Sequence, residues 1–350
     1  MKTPTFPMNA WYVAAWDAEV GRSLLQRTVC NRKLVLYRKQ DGTPAALEDA
    51  CWHRLVPLSV GSLNGDSVRC GYHGLEFGAN GRCTHMPSQE TINPSAAVRA
   101  FPVVERHRFV WVWPGDPALA DPALIPPLPW SDDPAWTGDG RMTEVKADYR
   151  LVIDNLMDLT HETYVHSTSI GNAALAEAPF DAYHGDRTAR IERWVMNEEA
   201  PPFWAGQLGH AGKADRWQII NFLAPSTIYL EVGVAPAGTG ARDGDRSQGV
   251  DMRVIHVPTP STDKTCYYFW SHLRNYRIHD QGATRRVLEA GGGILAEDEV
   301  VIEAQQRAID ENPDHVFYNL NIDGGSMWAR RAINKMIAAE TASQLAAAAE

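Results

Sequence analysis

Along the first 118 residues, apolar and polar positions alternate in short runs separated by turn residues, the pattern of antiparallel strands. The runs "KLVLYRK" and "PAALED" flank Asp41-Gly42, a hairpin signal. "DSVRCGYHGLEFGANGRCTHMP" repeats the pattern around Ala79-Asn80-Gly81, and "FPVVERHRFVWVWPGD" adds two strands. Short strands at this spacing predict a small antiparallel barrel or sandwich. The Pro-rich stretch 116–134 then reads as a boundary. Beyond Trp136, "YRLVIDNLMDLTHETYVH" opens with a helix-like apolar run, and five long strand-like runs follow between residues 187 and 276. The Gly/Asp/Arg-rich segment 237–249 reads as a mobile loop. The last sixty residues have helical periodicity. The expectation is an α+β chain, with a β-rich domain over 1–118 and a second domain over 119–350.

Composition narrows the function. The 350 residues include 44% hydrophobic and 22% charged positions, as in ordinary globular chains that bury a large core. The net charge of −10, without a basic run, argues against a nucleic-acid partner. No apolar stretch has membrane-spanning length, and the first residues do not read as a signal peptide, so the expected location is cytoplasmic. Five cysteines, an odd number scattered along a long chain, do not form a disulfide framework.

Two loops carry chemistry. "CWHRLVPLS" supplies Cys51 and His53; sixteen residues later "CGYHG" supplies Cys70 and His73. Zinc accepts these ligand types, but zinc fingers pair like with like, whereas each loop here supplies one thiol and one imidazole. That division suits a Rieske-type [2Fe–2S] cluster, two thiolates on one iron and two imidazoles on the other. Cys83 and His85 lack a second pair and read as structural.

A second site is expected in "NLMDLTHETYVH", residues 155–166. Asn155, Asp158 and His161 recur at three-residue steps and would share one side of a helix. His166, five residues further on, requires a helix end or a π-bulge. Two histidines and a carboxylate are the protein ligands of non-haem Fe(II) oxygenases. Asp158 is one candidate for the carboxylate. Asp298 is preferred, because Ile294, Leu295, Val301 and Ile302 surround it on a helix and an acid there needs a cation or a donor. Glu297 is the runner-up. For substrate contacts, the residues offer Trp204, Trp217, His256, Trp270, His272, Arg274 and Asn275.

Together with "NAWYVAAWDAEVG", "FVWVWPGDPALADPALIP" and "LNIDGG", these motifs resemble Rieske non-haem iron ring-hydroxylating oxygenases, most of all the vanillate O-demethylase oxygenase components. The resemblance runs nearly end to end. It implies a helix-grip catalytic domain, in which an antiparallel sheet wraps a helix. It makes Cys51, His53, Cys70 and His73 the cluster ligands and His161, His166 and Asp298 the ligands of the mononuclear Fe(II). Asp158 falls where the family has an acid bridging a cluster histidine of one subunit to an iron histidine of the next, and Asn155 where relatives have an asparagine near the iron. A homotrimer is implied, with a separate flavin and iron–sulfur reductase as the NADH-oxidising partner; this chain has no Gly-rich dinucleotide fingerprint. The implied reaction uses O2 to convert a methoxylated aromatic acid to a phenol and formaldehyde. Trp52 and Leu55-Val56 depart from the family by flanking the cluster with bulkier side chains. Two alternatives stay open: the same fold acting on an aromatic methyl group or another methoxybenzoate, and an electron carrier without the mononuclear iron.

Overall fold

The chain is described by a computed structural model covering residues 5–171, 173–209 and 212–347. It divides into two compact units. The first comprises 1–127 with 259–263 and 340–350; the second comprises 128–258 and 264–339.

The first unit is built from eleven short strands: β1 (Tyr12–Trp16), β2 (Leu25–Val29), β3 (Arg32–Arg38), β4 (Pro44–Glu48), β5 (Ser62–Asn64) and β6 (Ser67–Arg69), then β7 (Glu76–Phe77), β8 (Cys83–His85), β9 (Ala100–Phe101), β10 (Val103–Arg106) and β11 (Phe109–Val112). They form three sheets, ordered β1-β11-β10, β2-β3-β4-β9 and β5-β6-β7-β8. The β3–β4 hairpin turns at Asp41-Gly42 as its dipeptide requires, with Gly42 at φ +87°. Val35, Tyr37, Leu47, Leu58, Val68 and Phe77 form one buried cluster together with Cys51 and Cys70. The cysteine loops are thus rooted in a packed core. Two Asp-Pro-Ala-Leu segments in the Pro-rich stretch form 3₁₀ turns, each capped by its own aspartate, Asp116 or Asp121.

The second unit centres on a seven-stranded antiparallel sheet. Its strands are β12 (Thr137–Val145), β13 (Phe180–His184), β14 (Thr188–Glu199), β15 (Lys213–Leu223), β16 (Thr227–Pro236), β17 (Val250–Thr262) and β18 (Thr265–Arg274), in the order β12-β18-β17-β16-β15-β14-β13. The helices are α1 (Tyr149–Met157), α2 (Glu162–Val165), α3 (Ala173–Glu177), α4 (Pro202–Leu208), α5 (Gln281–Glu311) and α6 (Gly324–Ala347). Asp148 caps α1 and Asp280 caps α5, each accepting from a backbone N–H of the first turn. The fold class read from the sequence, α+β with a large antiparallel sheet and helices, is the one observed.

Within the segment 237–249, Ala241 is buried, and Arg246 pairs with Glu231 and Asp251 while lying over the Trp217 ring. The last helix region starts at Gln281, so the triplet Gly291-Gly292-Gly293 lies inside α5. None of the helices described is long and apolar enough to cross a membrane.

Candidate metal centres

The cysteine loops share one hydrogen-bonding plan. Cys51 N–H donates to the Val56 carbonyl and Leu55 N–H to the Cys51 carbonyl; Cys70 N–H donates to Leu75 and Gly74 N–H to Cys70. Closing each ring needs a left-handed residue at its fifth position, supplied by Leu55 (φ +59°) and Gly74 (φ +73°). The thiols of Cys51 and Cys70 are buried and within hydrogen-bonding reach of each other. The His53 and His73 rings lie outward, their centroids 4.8 Å apart. Donors therefore come as a thiol pair and an imidazole pair, the division required by two bridged irons. Asp49 holds the first loop by accepting from Ser59 N–H and Oγ–H, both at 2.7 Å. Trp52 and Leu55, the bulky departures, are exposed. Cys83 donates its thiol hydrogen to the His85 carbonyl.

In the second unit, α1 ends at Met157, so Asn155 is helical but Asp158 and His161 are not, correcting the shared helical side expected for all three. His161 and His166 instead flank the single turn of α2. This resolves their five-residue spacing: the chain breaks and restarts, and both rings come to one place. Asp298 reaches them from α5. His161 Nε2 lies 3.4 Å and His166 Nε2 3.1 Å from Asp298 Oδ1, and the three donor atoms lie within 4.8 Å of one another. Separations near 3 Å suit donors about 2.1 Å from a common centre. Among the described residues, no other set of three such donors comes this close.

The surroundings orient each donor. His161 Nδ1 is 2.5 Å from the Asp158 carbonyl and His166 Nδ1 2.6 Å from Glu297 Oε2, so both rings present Nε2 inward. Glu297, the runner-up for the triad, serves His166 from behind. Asn155 donates to Asp298 Oδ1 at 3.1 Å. Asp158 accepts from the N–H groups of Thr160 and His161, closing the turn between the helices. Burial alone would raise the Asp298 carboxyl, but the hydrogen bonds and charges of His161 and His166 outweigh it and hold it far below the usual range. Burial disfavours charge on His161, yet Asp298 raises it to about 9. Two Nε2 atoms and an ionised carboxylate oxygen aimed at one point form a donor set that fits an iron with two histidines and one carboxylate, with both imidazoles neutral when the metal is bound.

A buried ion pair, absent from the sequence reading, locks α2 in place. Glu162 accepts from Arg216 Nη2 at 3.0 Å and Gln218 Nε2 at 2.5 Å, and Arg216 also donates to the Ile170 carbonyl. Its only sequence signal was polar residues alternating along "RWQII" on a strand buried on both faces.

The triad opens on a cavity of about 90 Å³. Phe203, Trp204, Leu230, Val232, Val254 and Ile294 supply apolar walls; Gln218, His256 and His272 are polar groups among them. Of the suggested substrate contacts, Trp204, His256 and His272 therefore line it. Trp217 packs in a separate cluster with Ile219, Ala235 and Ala241. Trp270 stands edge-on to His272. Arg274 Nη2 is engaged by the Arg277 and Asp280 carbonyls and Thr284, and Asn275 is exposed. Tyr268 Oη lies 2.7 Å from His256 Nδ1.

Residues 10–102 match the Rieske [2Fe-2S] domain, and residues 145–339 match the vanillate O-demethylase oxygenase C-terminal domain. The vanillate O-demethylase oxygenase subunit of Pseudomonas sp. (strain HR199 / DSM 7063) is 44% identical over 340 residues, 96% of each chain. An iron-sulfur subunit of the toluene-4-sulfonate monooxygenase system of Comamonas testosteroni is 37% identical, covering 96% of this chain and 98% of its own. The crystal structure of dicamba monooxygenase with non-heme iron and dicamba superposes with a TM-score of 0.84 at 35% identity, covering 97% of this chain and 99% of the other. Both domains occur in the same order as in relatives matched over nearly their whole length, and so this chain belongs to the vanillate O-demethylase oxygenase family of Rieske non-haem iron oxygenases.

Proposed function

We propose that this chain O-demethylates a methoxylated aromatic acid of the vanillate class as the oxygenase component of a multi-protein system. The overall balance is ArOCH3 + O2 + 2e− + 2H+ → ArOH + CH2O + H2O. One observation carries the reading: a cation-shaped triad opening on an apolar, aromatic-walled cavity with few polar groups.

Cys51, His53, Cys70 and His73 would hold the [2Fe–2S] cluster, and His161, His166 and Asp298 the mononuclear iron. When bound, these groups supply one-electron storage and oxygen activation. The protein positions and shields. Asn155 fixes the Asp298 oxygen, and the Asp158 carbonyl and Glu297 fix the ring orientations of His161 and His166. The apolar wall excludes water. His256 is fully buried, and burial pushes its pKa down to about 3, so it stays neutral. Tyr268 has a proton to donate and Nδ1 is its partner; that arrangement leaves His256 Nε2–H free to donate to an oxygen on the substrate ring.

On this reading the 1–118 domain carries electrons and the 119–350 domain carries out oxidation, within a cytoplasmic homotrimer in which Asp158 couples the cluster of one subunit to the iron of the next. Relatives named as subunits of larger systems support a separate flavin and iron–sulfur reductase as partner. The toluene-4-sulfonate relative favours one alternative, hydroxylation of an aryl methyl group. A substrate panel scored for formaldehyde against benzylic alcohol separates the two. The direct test is iron content with reduced-state EPR: three irons per chain are expected, falling to two in His161→Ala with the cluster signal intact. Two irons in both would leave only an electron carrier.

A further inference from the structure

Gly291 lies within α5, where glycine costs about 1 kcal/mol relative to alanine. The packing gives a reason for it. A Cβ at Gly291 would fall 2.3 Å from His272 Cε1, 2.7 Å from Nε2 and 2.9 Å from Nδ1. The imidazole therefore lies flat against the helix backbone, in space that any other residue would fill. The Trp270 ring, edge-on with a centroid 5.6 Å away, closes another side.

His272 lines the cavity, and its Nδ1 is buried without a hydrogen-bond partner. That leaves Nε2 as the nitrogen able to reach a ligand. Placing the ring proton on Nε2 also avoids burying an N–H that has no acceptor. The guanidinium in the wall, that of Arg216, is already engaged by Glu162 and the Ile170 carbonyl.

Gly291 and Asp298 are seven residues apart on α5, about 10.5 Å along its axis and on the same face. His272 packs against Gly291 and so meets the cavity about two turns of α5 away from Asp298.

We propose that His272, wedged against Gly291, is a specificity-determining residue whose Nε2–H donates to the carboxylate of the aromatic acid while the methoxy group lies at the triad. The assignment rests on the substrate class proposed above. It accounts for an acid being accepted in a cavity whose wall is mostly apolar, and it makes Gly291 part of the recognition apparatus without touching the ligand.

The test is calorimetric binding to the iron-loaded protein, using 4-hydroxy-3-methoxybenzoate and 2-methoxyphenol, the same ring without the carboxylate. Wild type is expected to bind the acid roughly 10- to 100-fold more tightly, the range for a hydrogen bond to a charged group. His272→Leu should abolish the preference, and His272→Gln, whose amide N–H reaches nearly the same point, should restore part of it. Gly291→Ala should behave like His272→Leu because it displaces the ring. Iron content and the reduced-cluster EPR signal report whether each variant is folded. An unchanged preference in both His272→Leu and Gly291→Ala overturns the assignment, as does a wild type with no preference. Formaldehyde release, assayed with O2 and a chemical electron donor, decides the reaction separately: a wild type that prefers the acid but releases none under those conditions sinks the demethylase reading and leaves His272 standing.

Discussion

Desolvation keeps the buried His256 and the half-buried His272 neutral, pushed down to about 3 and about 4. An unfolded histidine takes a proton near pH 6.5, so below that pH the unfolded chain binds protons that the folded chain refuses. Stability should fall as pH drops from 6.5 towards 4, by up to about 1.4 kcal/mol per pH unit for each ring. Urea midpoints between pH 6.5 and 5 measure this. His256→Gln should flatten the slope by one ring's share; an equal slope in the variant would show that His256 is protonated in the native state. Leu55 allows a second test at this scale. It is 74% exposed, so it gains little from packing, yet it holds a left-handed conformation that disfavours leucine. Leu55→Asn is expected to raise stability by about 0.5–1 kcal/mol with the cluster EPR unchanged. A lower melting temperature would mean that the leucine makes a contact worth more than its backbone strain.

At the scale of elements, the iron site depends on a helix of only four residues, too short to hold its shape alone. Its rigidity comes from the Glu162–Arg216–Gln218 cluster joining α2 to β15. Removing one partner strands a buried charge, a loss of about 3–5 kcal/mol. Arg216→Met should therefore lower the melting temperature and drop iron towards two per chain while leaving the cluster signal. Adding Glu162→Gln to it should recover much of the loss. Three irons in Arg216→Met would show that the histidines are held by other means. The same scale shows what could be read in advance. Histidines five residues apart exclude a regular continuous helix, and the Asp41-Gly42 turn is local chemistry, so both were legible. The Glu162–Arg216 pair was not: its members are 54 residues apart, and on a strand buried on both faces the alternation of Arg216 and Gln218 does not say which side meets α2.

For the whole molecule, two units separate the cluster ligands from the triad, and the chain has no Gly-rich dinucleotide loop. The protein alone with NADH, O2 and a methoxybenzoate should release no formaldehyde; adding a flavin reductase or a chemical electron donor should start the reaction. NADH oxidation by the chain alone would require a nucleotide site that the fold does not explain. By itself the sequence determined the candidate donor sets, the order of the two matched domains and most strand positions, because each depends on residue type at short, rigid spacing. The tertiary structure alone decided that Thr259–Asp263 and residues 340–350 belong with the first unit, that Glu297 supports His166, and that Gly291 makes room for His272. Those are meetings of side chains and segments far apart in sequence, created when apolar surfaces pack and leave only certain buried polar groups within reach of one another.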